Sequence, residues 1–224
     1  ASDVYKRQQQ GRDGVWLDLP TTTEQVQAAL QQIGISSDNP QGLFISGYFA
    51  EEEKRFAISY NMVLASNVDE LNFLASRLET LSTGERAELN AALQAPQSEL
   101  FSIGRITDFP ENVDYYVHLP DVHGPAQLGD YYLNRSGMVN MPEEWKGGID
   151  TAQFGRYVAQ QEQGAFTQYG YLVKSGDEWQ KVHEGQPVPE EYRVLSFPAP
   201  EVLRDSANIC LLYTSPSPRD ISGS

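Results

Sequence analysis

The sequence predicts an α+β protein assembled from small units in chain order: a sheet-plus-helix unit, a helical module and a C-terminal α+β unit. Three observations predict it. Alternating strand-like segments flank one capped amphipathic helix near the N-terminus. An apolar stripe at spacings of three and four then fills residues 66–96. From residue 108 onward aromatic-rich strand and helix patterns follow one another.

Each element has a local cause. GVWLDLP, residues 14–20, alternates apolar and polar positions and stops at proline, as a strand does. In TTTEQVQAALQQIGI, residues 21–35, Thr21 to Thr23 supply capping hydroxyls and Glu24 suits the first turn. Val26, Ala29, Leu30 and Ile33 form one face, and Gly34 ends the helix. GLFISGYF, residues 42–49, reads as a second strand. Two strands make a thin sheet, and a further strand before Gly11 would complete it, with QQQGRDG as a turn.

Val68, Leu71, Leu74, Leu78 and Leu81 mark one helix capped by Ser66 or Asn67. Residues 82–84 break the pattern, residues 85–95 form its partner, and SELFSIGRITDFP adds a short third helix. Beyond them VDYYVHLP reads as a strand, GPAQLGDYYLNRSG as a helix closed by Gly137, and TAQFGRYVAQQEQG as another helix. YGYLVK and EWQKVHEG are expected to form a hairpin around residues 175–177. Units are expected at residues 9–64, 65–107 and 108–195, with 196–209 a linker or the start of a further region.

The two ends stand apart. Back-translated as GAT GTG TAT AAG AGA CAG, residues 3–8 have a complementary strand that reads Cys-Leu-Leu-Tyr-Thr and the start of Ser in a shifted frame. Those are the residues that begin at Cys210. One DNA element read in both orientations, resembling the end of a transposase-based sequencing adapter, accounts for both. Residues 1–8 and 210–224 are therefore set outside the fold, and the only cysteine goes with them.

Charge narrows the function. The chain holds 16 Lys and Arg against 31 Asp and Glu, a net charge of −15. Removing Lys6, Arg7, Arg219, Asp3 and Asp220 with the ends leaves 13 against 29, or −16, spread along the chain. Such an excess repels phosphates and anionic membrane surfaces, so direct nucleic-acid or membrane binding is not expected. A basic partner is. Without an authentic cysteine or an apolar run of about 20 residues, a cytoplasmic location is expected.

Catalytic patterns are thin. HLPDVHG places His118, Asp121 and His123 close together, three ligand types for a hydrolytic metal ion. Their spacing is wrong for one helix face, and Pro120 lies between them, so strand-end and turn residues are the better account. No phosphate loop, dinucleotide fingerprint or nucleophile elbow occurs. The aromatic cluster from Tyr115 to Trp179 lacks the basic groove of a base-stacking platform, and is expected to serve as core or protein interface.

Four stretches in register resemble the ArdA antirestriction family: GVWLDLPTTTEQVQAALQQIGI, NVDELNFLASRLETLS, LGDYYLNRSG and FGRYVAQQEQGAFTQYGYLVKSGDEWQKVHEG running into VPEEYRV. The resemblance spans residues 11–194. It implies an elongated homodimer of small domains in a row. It also implies a non-enzymatic role without cofactor: surface carboxylates imitate B-form DNA and fill the DNA-binding groove of type I restriction–modification enzymes. The carboxylates expected to act as phosphate mimics are Asp108, Glu111, Asp114, Asp121, Asp130, Glu143, Glu144 and Asp150. They lie between Gly104 and Gly155, where acidic residues outnumber basic ones 8 to 3. The alternatives are a generic acidic interaction module and, after it, a metal-dependent hydrolase.

Overall fold

A computed structural model describes residues 14–35, 44–50, 55–96 and 98–195. Among them eight α-helices and one three-stranded antiparallel sheet form an α+β fold.

Helix α1 (Thr23–Gln32) starts at a capping box. The Thr22 hydroxyl accepts the Gln25 N–H, and the Gln25 side chain returns the bond to the Thr22 N–H. Two donors that a helix start leaves orphaned are thereby satisfied. Val26, Ala29 and Leu30 are buried. Helix α2 (Tyr60–Leu64) was not expected from the sequence. Helices α3 (Val68–Glu79) and α4 (Thr83–Gln94) repeat the box with Asn67 and Glu70, and with Ser82 and Glu85. Each cap contributes about 1 kcal/mol. Helix α4 therefore starts at Thr83, two residues earlier than the apolar pattern places it. Helix α5 (Ile103–Thr107) is capped by Ser102.

Two 3-10 turns, Phe109–Glu111 and Val113–Tyr115, lead into β1 (Tyr116–Leu119). Helix α6 (Pro125–Asp130) continues into a π-helical turn, Tyr131–Arg135, which Gly137 follows at φ +71°. Helices α7 (Glu143–Lys146) and α8 (Thr151–Glu162) precede β2 (Ala165–Thr167) and β3 (Gly170–Lys174). The sheet order is β1-β3-β2. Tyr116 pairs with Lys174 and Leu119 with Tyr171; Phe166 also pairs with Tyr171.

Successive residues of a strand face opposite ways, and β3 uses both faces. Leu172 joins the core of α3, α4 and α5, with Leu71, Leu74, Leu78, Leu89 and Ile106. Its neighbour Tyr171 packs on the other side with Leu128, Phe166 and Val158. The sheet is thus a middle layer between the helical hairpin and the α6–α8 pair. The helical module and the sheet share one core, across the boundary expected at residue 108.

Two expectations fail. The hairpin is formed by β2 and β3 around Gln168 and Tyr169, and residues 175–182 form no strand. Thr167 closes the turn, accepting the Tyr169 N–H and donating to the Gly170 carbonyl. The backbone of residues 180–184 is taken up by side chains of Asp108 and Asn112 instead of by a ladder. Likewise no ladder joins residues 14–20 to residues 44–49. In that part of the chain backbone groups turn to helix side chains: Thr21 N–H donates to Asn72 Oδ1 (2.6 Å) and Ala57 N–H to Asn90 Oδ1 (2.7 Å). Residues 42 and 43, the expected start of the second strand, and both chain ends lie outside the described residues.

Glu88 on α4 is an exception to the polar bookkeeping. Its Oε1 is buried without a hydrogen-bond partner. Burial, then the charges of Glu85 and Asp114, push its carboxyl up to about 8 from an ordinary 4.5. A carboxyl held protonated by the fold gives its full support below pH 4.5 and loses it as pH rises through about 8. Glu88→Gln is expected to leave stability at pH 4 unchanged and to raise it at pH 9 by about 1–2 kcal/mol, after discounting for partial exposure. Urea unfolding at the two pH values measures this. Equal stabilisation at both would contradict it.

Candidate partner-binding surface

The eight carboxylates expected to face a partner fall into three environments. Asp108 is fully buried, at 0% exposure. Its Oδ1 accepts the His183 N–H (2.6 Å), and its Oδ2 accepts those of Val182 (3.3 Å) and Glu184 (3.1 Å). A carboxylate placed inside the fold and spent on three backbone donors cannot meet another protein, so Asp108 leaves the set.

Three others face cations of the same chain. Glu111 pairs with Arg77. Asp130 pairs with Arg135 (3.1 Å) and accepts from the Asn134 amide, one turn on. Glu143 pairs with Lys146 (2.6 Å). The third basic residue between Gly104 and Gly155 is Arg105, and it is turned inward. Its guanidinium bridges Glu99 (2.9 Å) and Glu184 (3.1 Å) and lies over the rings of Phe101 and Trp179. Every cation that interrupts the acidic stretch is therefore occupied.

Asp114, Asp121, Glu144 and Asp150 are exposed and form no ion pair among the described residues. Asp150 also caps α8, accepting the Gln153 N–H (2.9 Å). Sequence reasoning limited to residues 104–155 missed exposed carboxylates of the same kind further on: Glu178, Glu190 and Glu191. The local excess of acid over base could have found the last two, which stand together in VPEEYRV.

The metal-ligand pattern does not assemble. His118 Nε2 lies 2.7 Å from the Tyr169 carbonyl oxygen, in the sheet, while Asp121 and His123 are exposed in the turn beyond. The ligand atoms that do approach one another among the described residues belong to Asp108, Glu111 and His183, within 4.8 Å. Asp108 there is taken by three backbone donors and one Glu111 oxygen by Arg77, while Glu111 Oε2 is buried without a partner among the described residues.

The aromatic residues divide between core and surface. Tyr115 packs edge-on against Tyr116 and Trp179. Glu162 accepts hydrogen bonds from the hydroxyls of both Tyr132 and Tyr171, fastening the π-helical turn and β3 to the end of α8. Burial, together with that carboxylate, holds both phenols well above the ordinary tyrosine range. Trp145, beside Glu144 in sequence, and Tyr157 are 65% and 60% exposed.

The fold and surface define a class: an α+β protein whose negative charge is fixed on a scaffold while nearby positive charge is internally neutralised. The chain belongs to the ArdA antirestriction protein family, whose model matches residues 10–173. No curated protein matches it. The family is one of inhibitors that act on restriction–modification enzymes. No helix among the described residues is long and apolar enough to cross a membrane.

Proposed function

We propose that this chain is a stoichiometric, non-catalytic inhibitor of type I restriction–modification enzymes, acting as a homodimeric DNA mimic in their DNA-binding groove. The observation that carries the reading is the electrostatic sorting of residues 104–155. The basic residues are paired or turned inward, and Asp114, Asp121, Glu144 and Asp150 stay exposed without an ion pair among the described residues.

A groove that binds DNA is lined with Lys and Arg, and fixed carboxylates can meet those cations in place of phosphates, with an attraction that salt screens. Long-range attraction adds speed to the encounter. Because the carboxylates stand on a folded scaffold, little conformational freedom is lost on docking. Asp130 and Glu143 contribute less, since each shares its charge with a neighbouring cation. A division into N-terminal, helical and C-terminal domains, and a site in the cytoplasm, belong to the same reading.

The test is the triple variant Asp114→Asn, Asp121→Asn, Glu144→Gln, which leaves the Asp150 cap in place. With the melting temperature unchanged, the concentration needed to inhibit a type I enzyme should rise at least tenfold, about 1.4 kcal/mol, and inhibition should lose part of its salt dependence. Parental inhibition by a folded triple variant would remove these residues from the contact.

A further inference from the structure

Residues 180–195 follow the last strand and lie beyond the family-matched span. They contain one 3-10 turn, Glu190–Tyr192, and no ladder. Two sets of side chains hold them, separated by a stretch with no such hold.

The first set fixes residues 180–184. Asn112 accepts the Gln180 N–H (2.7 Å) and donates to the Gln180 carbonyl (2.9 Å). Asp108 takes the next three donors, at Val182, His183 and Glu184. Arg105 holds the Glu184 side chain. The second set comes from α3. Asn72 donates to the Tyr192 carbonyl (3.0 Å), and Asp69 Oδ1 accepts from Val194 (2.8 Å) and Leu195 (3.0 Å).

Between them, among the described residues, residues 185–189 bond within the segment, through Gln186 to His183, Tyr192 to Pro189 and Arg193 to Val188. Gly185 there sits at φ +77°, a left-handed conformation suited to glycine and to a pivot.

The second set reaches the N-terminal part of the chain as well. The Asn72 amide that holds Tyr192 also accepts the Thr21 N–H at the start of α1. The small cluster under α1 is closed from the same side: Val26 and Leu30 pack on Val194, with Leu195 beside them. Val68 is the α3 residue that joins this cluster. Helix α1 is therefore held to the body in part through residues 192–195 and the α3 side chains that grip them, Asp69 and Asn72 by hydrogen bonds and Phe73 by its ring against Tyr192 (centroids 4.7 Å apart).

We propose that residues 185–195 are a clasp. Opening the Asp69–Asn72 grip releases the clasp and α1 together, as one cooperative local opening about Gly185. The Asp108–Asn112 grip and the core of α3, α4 and β3 stay closed. The physical basis is the size of the α1 cluster, which has too few apolar neighbours to persist once Val194 withdraws. The large cluster contains no clasp residue and loses nothing.

Hydrogen exchange of the full chain, read by mass spectrometry on the parent and on Asp69→Ala with Asn72→Ala, tests this. Peptides covering α1 and residues 185–195 should exchange at least tenfold faster, and by the same factor. Peptides in α4 and β3 should be unchanged. A second variant, Val194→Ala, opens the cluster without stranding a polar group and should give the same paired acceleration. Faster exchange throughout the chain in both variants would overturn the clasp. So would acceleration of residues 185–195 with α1 still protected, or no acceleration at all.

Discussion

Gly155→Ala is expected to cost about 3 kcal/mol or more, the upper end for a group forced into a packed site. Where α6 crosses α8, a Cβ on Gly155 would lie 1.8 Å from the Pro125 carbonyl oxygen and 2.8 Å from the Gly129 nitrogen. From the other helix, a Cβ on Gly129 would lie 1.9 Å from the Thr151 carbonyl oxygen. Backbone meets backbone here, so no side chain can swing aside, and the helices must separate. Separation uncovers Leu128 and Tyr171, which are fully buried in the cluster on that side of the sheet. Gly84→Ala is the control, because nothing lies within 4 Å of its Cβ. It should stabilise by up to about 1 kcal/mol through helix propensity. Urea midpoints of the two variants measure the difference, and a parental midpoint for Gly155→Ala would show the crossing to be wrong.

Asp108→Ala should be as damaging, by about 3–5 kcal/mol. Removing the carboxylate strands the N–H groups of Val182, His183 and Glu184 inside the fold, and each unpaired donor costs about 1–3 kcal/mol. Asp108→Asn keeps the volume but offers one acceptor oxygen and points an NH₂ group at the remaining donors. It should recover less than half of the loss. The measurement also separates two roles for this residue. Lost stability with inhibition retained by the surviving folded fraction fits the interior position. Intact stability with weakened inhibition would return Asp108 to the partner surface.

What could be read in advance follows from how local each cause is. The caps at Thr22, Asn67 and Ser82 lie within four residues of the groups they satisfy, so helices α1, α3 and α4 stand in the sequence almost as they fold. The 3.6-residue period of Leu71, Leu74 and Leu78 likewise names the buried face before any partner is known. The β-pairing is a different matter. Tyr116 and Lys174 meet across a separation that no pattern within either strand encodes. A segment such as EWQKVHEG alternates well enough for a strand, yet its backbone is claimed by two polar side chains of the turns after α5.

The surface was legible as a sum and not residue by residue. Net charge allows a basic partner whichever way each carboxylate points. It cannot say that Asp108 turns inward while Asp114, six residues later, stays in water. Both are acidic residues beside aromatic ones. They differ in the distant backbone that comes to meet Asp108. Asn72 and Asn90 carried no sequence signal either, being polar residues on helix faces that turn inward to bind backbone from elsewhere.

The central claim is competition for a DNA-binding groove, and displacement measures it most directly. Labelled duplex DNA bound to a type I restriction–modification enzyme would be titrated with the purified protein at two salt concentrations. Complete release of the DNA is expected near one dimer per groove, with an apparent affinity that falls steeply as salt rises. A ternary complex holding both DNA and inhibitor, or no release at low salt by protein shown to be folded, would contradict it.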